Sequence, residues 1–380
     1  MKVMIAVTHL LGTGHLSRAL TLGRAFAQAG HAVTVVSGGM PAPQLDRAGL
    51  SLVQLPPLRS DGTDFTRLLT DGGEPADETY LAKRAAMLSD SLWTGQPDIL
   101  ITELFPFGRR SLSAEFLALL SAARDLPARP VVLSSIRDIL APPSKLSKAQ
   151  RADEIVDDFY DGVLVHSDPQ ITPLDVSWPV SERLAGRLHY TGFVAPPAPL
   201  PHRGGIGKGE VLVSAGGGSV GQPIFRAAIE AARKMPDSRW RLLVGGSDAP
   251  ARMDELRKRA QGWPITIEPV RPDFRNMLPL AGASVSMCGY NTAMDLLQAG
   301  TPGVLIPFDD GNEVEQTLRA RSLAHLPAIR VLPSAELTGD SLARSVAAVM
   351  EHGPRVPAKQ GFDGAHRTVE IALQLREVRG

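Results

Sequence analysis

Apolar positions along the chain switch between two spacings. Val3 to Val7 is a short β-rich apolar run ending at a glycine turn, and Leu16 to Ala29 then carries apolar residues at helical spacing and stops at Gly30, a natural residue just past a helix end. "HAVTVVSGG" follows as a second strand. Strand, glycine turn, helix, glycine and strand in that order predict a βαβ unit whose crossover is right-handed in a parallel sheet. The runs "SLVQLP", "PDILITELF", "RPVVLSS" and "DGVLVHS" extend the pattern, with a helix over Leu112 to Arg124 between them, as expected of parallel strands covered on both faces.

The stretch "PPAPLPHRGGIGKG", Pro196 to Gly209, breaks this grammar with proline, glycine and charge. "GEVLVSAGGGSVG" restarts it: strand Val211 to Ser214, turn Gly216 to Gly218, helix Ile224 to Lys234, then the short strands "RWRLLVGG", "ITIEPV", "ASVSMCG" and "GVLIPF". The expectation is an α/β protein with two Rossmann-like, doubly wound domains. Their bounds read as 1–198, a linker over 199–209, 210–355, and a last stretch 356–380 that is helical from Thr368 to Val378. No short-period repeat, heptad run or low-complexity tract argues for a solenoid or coiled coil.

Length agrees, since 380 residues exceed one ordinary core and suit two. Apolar residues at 43% and charged residues at 21% fit a soluble globular chain, and 40 basic against 40 acidic residues leave no bulk field for nucleic acid. The single cysteine, Cys288, excludes an internal disulfide framework and a cysteine-clustered zinc site. "MKVMIAV" is too short for a secretory apolar core, and no window approaches the roughly 18 apolar residues of a spanning helix. A cytoplasmic location is expected, with any membrane association peripheral.

Ligands of open α/β sheets bind beyond the carboxyl ends of strands, which selects four loops. In "GTGH", Gly12, Thr13 and Gly14 would let backbone amides approach an anion at a helix N-terminus. A dinucleotide fingerprint is incomplete there: Ser17 stands where its third glycine belongs, and "SGG" offers no ribose-binding acid after the second strand. His15 reads as a general base, as a donor to a bound acceptor, or as a loop cap, and His9 as structural. In "SAGGGSVG", Gly216, Gly217, Gly218 and Ser219 form a candidate phosphate nest, although no lysine completes a P-loop.

The third loop runs from Met287. Gly289, Tyr290, Asn291 and Thr292 form a polar turn, Asn291 or Thr292 caps a helix over Ala293 to Ala299, and Asp295 falls in its first turn as a dipole partner or ribose acceptor. Glu313, Glu315 and Gln316 open the next helix, in reach of sugar hydroxyls or simply solvated. The fourth comprises "TELFPFGRR" and "SSIRDIL", which set Glu103, Arg109, Arg110, Arg137 and Asp138 after strands of the first domain, facing an interdomain cleft. No Asp-x-Asp stands at a metal-diphosphate position, and "FDD" is only adjacent acids, so no essential metal is expected. HExxH, GxSxG and CxxC are absent.

With these residues in view, the chain resembles GT-B glycosyltransferases, whose two Rossmann-like domains face a cleft. It is similar to the group of the peptidoglycan N-acetylglucosaminyltransferase (MurG), and to a bacterial family labelled only as predicted glycosyltransferases. "HLLGTGHLSRA", "TELFPFGRR", "SIRDIL", "YTGFV", "VLVSAGGGSVG", "CGYNT" and "PFDDGNEVEQTLRA" carry the likeness over nearly the whole chain. The resemblance implies a metal-independent transferase with no cofactor, moving a sugar from a UDP-linked or other nucleotide diphosphate sugar to an acceptor that is a small molecule, lipid or polymer. It implies that His15 and its glycine loop line the acceptor side; Arg109 and Arg137, from their place after strands, are expected as further contacts, and Glu103 and Asp138, for which the resemblance offers no counterpart, stay open as second bases. It places Gly216–Ser219 near the diphosphate and Arg271 (by its backbone) and Phe274 (by packing) near the base. Asp295 stands where a ribose-binding carboxylate, usually glutamate, is found, and Glu315 and Gln316 stand at the donor sugar. Asp295 is one methylene shorter than that glutamate, and "YTGFV" lacks the basic residue that often follows this turn. Nucleotide-sugar hydrolases and 2-epimerases share the fold, and a nucleotide or glycan sensor without catalysis is the reading from another class.

Overall fold

The computed structural model describes the chain except residues 12, 62, 63, 217–220, 247, 310–312 and 380, and gives the backbone only at 64–66. The chain divides into two compact units, Met1–Val194 with Gly361–Gly380, and Ala195–Gln360.

In the first unit the elements are β1 (Lys2–Val7), α1 (Gly14–Gln28), β2 (Ala32–Gly39), β3 (Ser51–Asp61), β4 (Asp64–Leu69), α2 (Glu78–Gly95), β5 (Ile99–Glu103), α3 (Ser113–Asp125), β6 (Val131–Arg137), α4 (Leu146–Phe159), β7 (Gly162–His166), α5 (Glu182–Ala185) and β8 (Leu188–Tyr190). The second holds β9 (Glu210–Ser214), α6 (Gln222–Lys234), β10 (Arg239–Val244), α7 (Ala249–Arg259), β11 (Ile265–Pro269), α8 (Phe274–Met277), β12 (Ala283–Ser286), α9 (Tyr290–Ala299), β13 (Gly303–Leu305), α10 (Glu315–Leu323), β14 (Ile329–Val331) and α11 (Gly339–His352). The final helix, α12 (Gly364–Arg379), belongs to the first unit.

The first sheet runs β4-β3-β2-β1-β5-β6-β7-β8 and the second β11-β10-β9-β12-β13-β14. All pairings between these strands are parallel except β3 with β4, an antiparallel edge that the sequence pattern did not announce. Both sheets reverse direction once, between β1 and β5 and between β9 and β12. Such switch points open a crevice beyond the strand ends, and in each unit two loops meet there.

Period-two alternation on β1 builds both faces of the first core. Val3, Ile5 and Val7 pack with Leu20 and Phe26 of α1 and with Val369 and Ala372 of α12, while Met4 and Ala6 pack with Leu88 of α2 and Phe116 of α3. The residues expected as a linker, 199–209, are bound into the second unit. There the His202 amide donates to the Asn276 carbonyl, and the Asn276 side chain donates to the Leu200 carbonyl, each at 2.8 Å.

The bare end of β2 has a packing cause. A methyl group on Gly38 would stand 2.5 Å from Nη2 of Arg84, and one on Gly39 would stand 2.3 Å from the His9 carbonyl oxygen. Arg84 is fully buried and bonds both oxygens of Glu115 at 3.0 and 3.1 Å, together with the carbonyls of Gly38 and Pro56. The space that a ribose-binding acid would need is filled by this guanidinium and by His9.

Candidate active site

His15 follows β1 as the second residue of α1, and Glu103 ends β5. Because β1 and β5 are neighbours at the switch point, the two side chains meet: His15 Nδ1 lies 2.7 Å from Glu103 Oε1. Arg18, one turn further along α1, donates through Nη2 to the same Oε1. Side chains three apart share a helix face, which is why both reach one carboxylate.

His15 keeps 15% of its side-chain surface exposed, whereas Glu103 keeps 1%. Burial would raise the Glu103 carboxyl, but His15, Arg18 and Arg109 outweigh it and hold the group well below the usual carboxylate range. Burial lowers His15 to about 4, against the opposing pull of Glu103 and with help from Arg109 and Arg18. An ionised carboxylate only accepts, so Nδ1 carries the imidazole proton and Nε2 holds a lone pair. Arg18 Nη2 also stands 3.4 Å from Nδ1, a contact set by their common oxygen rather than a bond, since a protonated Nδ1 cannot accept.

The loop after β5 is held from below. The buried Phe105 carbonyl accepts from the Ser134 hydroxyl at 2.7 Å and from one of the Thr102 and Tyr160 hydroxyls, each 3.2 Å away, the other of these donating across the 2.7 Å between them. Leu104 and Arg109 adopt positive φ of 68° and 59°, a conformation costly for such residues, so the sharp course of this loop is imposed by its anchors. His166, at the end of β7, is fully buried between Ser135 Oγ at 2.8 Å and Thr191 Oγ1 at 2.9 Å, and burial lowers it to about 3.

Of the residues expected on this side, Thr13 caps α1 without a side-chain bond, leaving its first amides open, and Gly14 is exposed. Gly12 lies outside the described residues. Arg109 and Arg137 are partly exposed and Arg110 is exposed, whereas Glu103 and Asp138 are buried at the ends of their strands.

In the second unit Gly216 and Gly221 have φ of 77° and 84°, the left-handed region that glycine adopts without strain. Gly217, Gly218 and Ser219 lie outside the described residues. α9 begins at Tyr290 with Gly289 as its cap, so neither Asn291 nor Thr292 caps it and Asp295 falls in the second turn, not the first. The helix starts early because Gly289 already takes extended backbone, and the dipole argument for Asp295 lapses with it. Asp295 is held through Oδ1 by Arg275 Nε at 2.5 Å; burial raises its carboxyl and Arg275 offsets part of that. Arg275 also donates to the Pro197 carbonyl and to Gln298, binding the chain after residue 195 to α9.

Glu313 lies before α10, and its carboxylate accepts from the Glu315 amide at 2.7 Å. Gln316 Oε1 accepts from the amides of Cys288 at 3.0 Å and Phe308 at 3.2 Å, clamping the loops after β12 and β13. Arg319 adds a bond to the Cys288 carbonyl at 3.0 Å. Arg271 pairs with Asp273 through two 2.8 Å bonds, and Phe274 is half-buried at the start of α8. A cavity of ≈ 270 Å³ is lined by Gln222, Ile224, Met287, Phe308 and Ser334 among others, and none of the expected donor residues is in its described lining. Among the described residues no three His, Cys, Asp or Glu side chains converge as a metal site, and no helix is long and apolar enough to cross a membrane.

Arg18, Arg275, Gln298 and Arg319 were not singled out from sequence. Only Arg18 left a signal, its spacing of three from His15.

Solved structures share the architecture over almost the whole chain. The glycosyltransferase VinC in complex with dTDP superposes with a TM-score of 0.62 at 18% identity, covering 100% of both chains. MurG from Acinetobacter baumannii gives 0.61 at 15% identity, covering 99% of this chain and 95% of that one. The fold is GT-B. Residues 212–370 match the glycosyltransferase family 28 C-terminal domain. Two relatives are named UDP-N-acetylglucosamine–N-acetylmuramyl-(pentapeptide) pyrophosphoryl-undecaprenol N-acetylglucosamine transferase. The Rhodospirillum centenum protein is 28% identical over 188 residues, 46% of this chain and 48% of its own length. The Brucella anthropi protein is 30% identical over 148 residues, 38% and 39% respectively. The chain spans about half the length of these relatives or less, and it resembles MurG-type glycosyltransferases in that part.

Proposed function

We propose that this protein is a glycosyltransferase that moves a sugar from a nucleotide diphosphate sugar, UDP-linked, to an acceptor hydroxyl. The observation that carries the reading is the His15–Glu103 pair at the β1/β5 switch point, in a chain whose residues 212–370 match a family 28 domain. Glu103 keeps the proton on Nδ1, and Nε2 takes the acceptor proton as the acceptor oxygen bonds to the anomeric carbon. The bond from that carbon to the diphosphate oxygen breaks, and the leaving group departs with the electron pair. The N-terminal ends of α9 and α6 meet its charge without a metal, with Gln316 and Arg319 holding the loop before α9 in place. Asp295 offers Oδ2 to a ribose, while Arg109 and Arg137 suit an anionic group on the acceptor. The UDP preference and an N-acetylhexosamine as the sugar follow the names of the relatives.

Melting curves with UDP, dTDP, GDP, CMP, NAD and UDP-sugars, with and without EDTA, test the donor. Ligand at 100 times its Kd adds about 2.7 kcal/mol. A selective, EDTA-insensitive rise with UDP is expected; no rise with any nucleoside diphosphate would overturn the reading.

A further inference from the structure

Among its described residues the first unit contains two buried arginine–glutamate pairs built on different plans. Arg84 meets Glu115 as a fork, Nε and Nη2 each on its own oxygen, the arrangement of a structural clamp. Arg18 reaches Glu103 with Nη2 alone and chooses Oε1, the oxygen already held by His15. Arg18 Nε and Glu103 Oε2 are both buried without a hydrogen bond. Arg84 and Glu115, by contrast, leave no such atom.

We propose that Arg18 is a positioning residue that sets the basicity of His15 by sharing the Glu103 oxygen that orients it. The kinetic side of this inference rests on the reading of His15 as the base; the electrostatic side does not. With His15 neutral, the Arg18 cation and Glu103 anion balance. When Nε2 takes a proton the cluster becomes positive, with Arg18 3.4 Å from Nδ1. Arg18 therefore disfavours the imidazolium twice: by direct repulsion and by drawing Glu103 towards itself. Arg109, in the loop after β5, acts in the same direction, Glu103 is the opposing charge, and His9 stands in the field of both. Without Arg18 the whole carboxylate would serve His15, giving a stronger base that gives up its proton less readily.

Imidazole ¹³C and ¹⁵N shifts of the full chain, followed against pH with His15 assigned by His15→Gln, measure this without turnover. Arg18→Gln and Arg18→Met, two neutral replacements in case one fails to fold, are expected to raise the His15 midpoint by about one pH unit or more, and Arg18→Lys to keep it near the native value. A midpoint that stays within 0.3 units in the neutral variants, or falls, overturns the inference. Under the proposed function the acid limb of kcat/KM moves by the same amount. A shifted midpoint with an unshifted limb would keep Arg18 in this role and remove His15 as the base.

Discussion

His15 and Glu103 are separated by 88 positions in the chain and by 2.7 Å between Nδ1 and Oε1. The parallel pairing of β1 with β5 brings them together, and the depth of Glu103 keeps the pair in one tautomer. Glu103→Gln preserves shape but offers an amide that can donate to Nδ1 and so favours the wrong tautomer. Turnover, read as nucleoside diphosphate released with acceptor, is expected to fall about 10²- to 10⁴-fold, with nucleotide affinity unchanged.

The low position of His15 gives a pH profile. Since kcat/KM reports the free protein, its acid limb is expected near pH 4 rather than 6.5, and activity at pH 6 should match that at pH 7. A limb at 6 or above would show that His15 is not held neutral.

His166 makes stability depend on pH with a defined sign. Its native value of about 3 is below the unfolded value of 6.5, so between these limits the unfolded chain binds a proton that the native one does not. Its contribution is present above pH 6.5 and lost as pH falls towards 3. Urea unfolding at pH 6.5 and 4.5 should show a smaller drop for His166→Gln than for the native protein.

Removing Arg84 alone leaves the Glu115 carboxylate buried without its fork. Arg84→Met is expected to lower unfolding free energy by about 3 to 5 kcal/mol, and adding Glu115→Leu to recover much of it, by chemical denaturation.

Gly39→Ala tests the close approach of β2 to His9. The added methyl meets the His9 carbonyl oxygen at 2.3 Å and Nδ1 at 2.4 Å, both backed by core. A loss of about 1 to 3 kcal/mol is expected, again read by denaturation, with a shifted His9 imidazole signal.

The fold was legible because fully buried parallel strands and glycine stops are written locally. The antiparallel β4 was not, since an edge strand takes its direction from a partner rather than from its own pattern. In the site, the glycine loop and His15 were legible as a strand-end pair, and Glu103 as a carboxylate after a strand. That Glu103 holds His15 depends on which strands are neighbours, a long-range fact no local pattern carries. Arg18 read as a helix charge because its burial depends on the same neighbour. Asp295 was placed one turn too near the helix start because Tyr290 to Thr292 looked like a polar turn, although Gly289 had already supplied the extended residue before the helix.

The helix that carries His15 shares its apolar side with α12: Leu20 and Phe26 belong to one core with Val369 and Ala372. On the ribosome α1 emerges before the whole of 195–360, and α12 after it. That helix thus cannot finish packing until translation has passed the second unit, and a chain arrested before residue 361 would present α1 with the part of its apolar side that faces α12 uncovered, a ready substrate for chaperones and proteases.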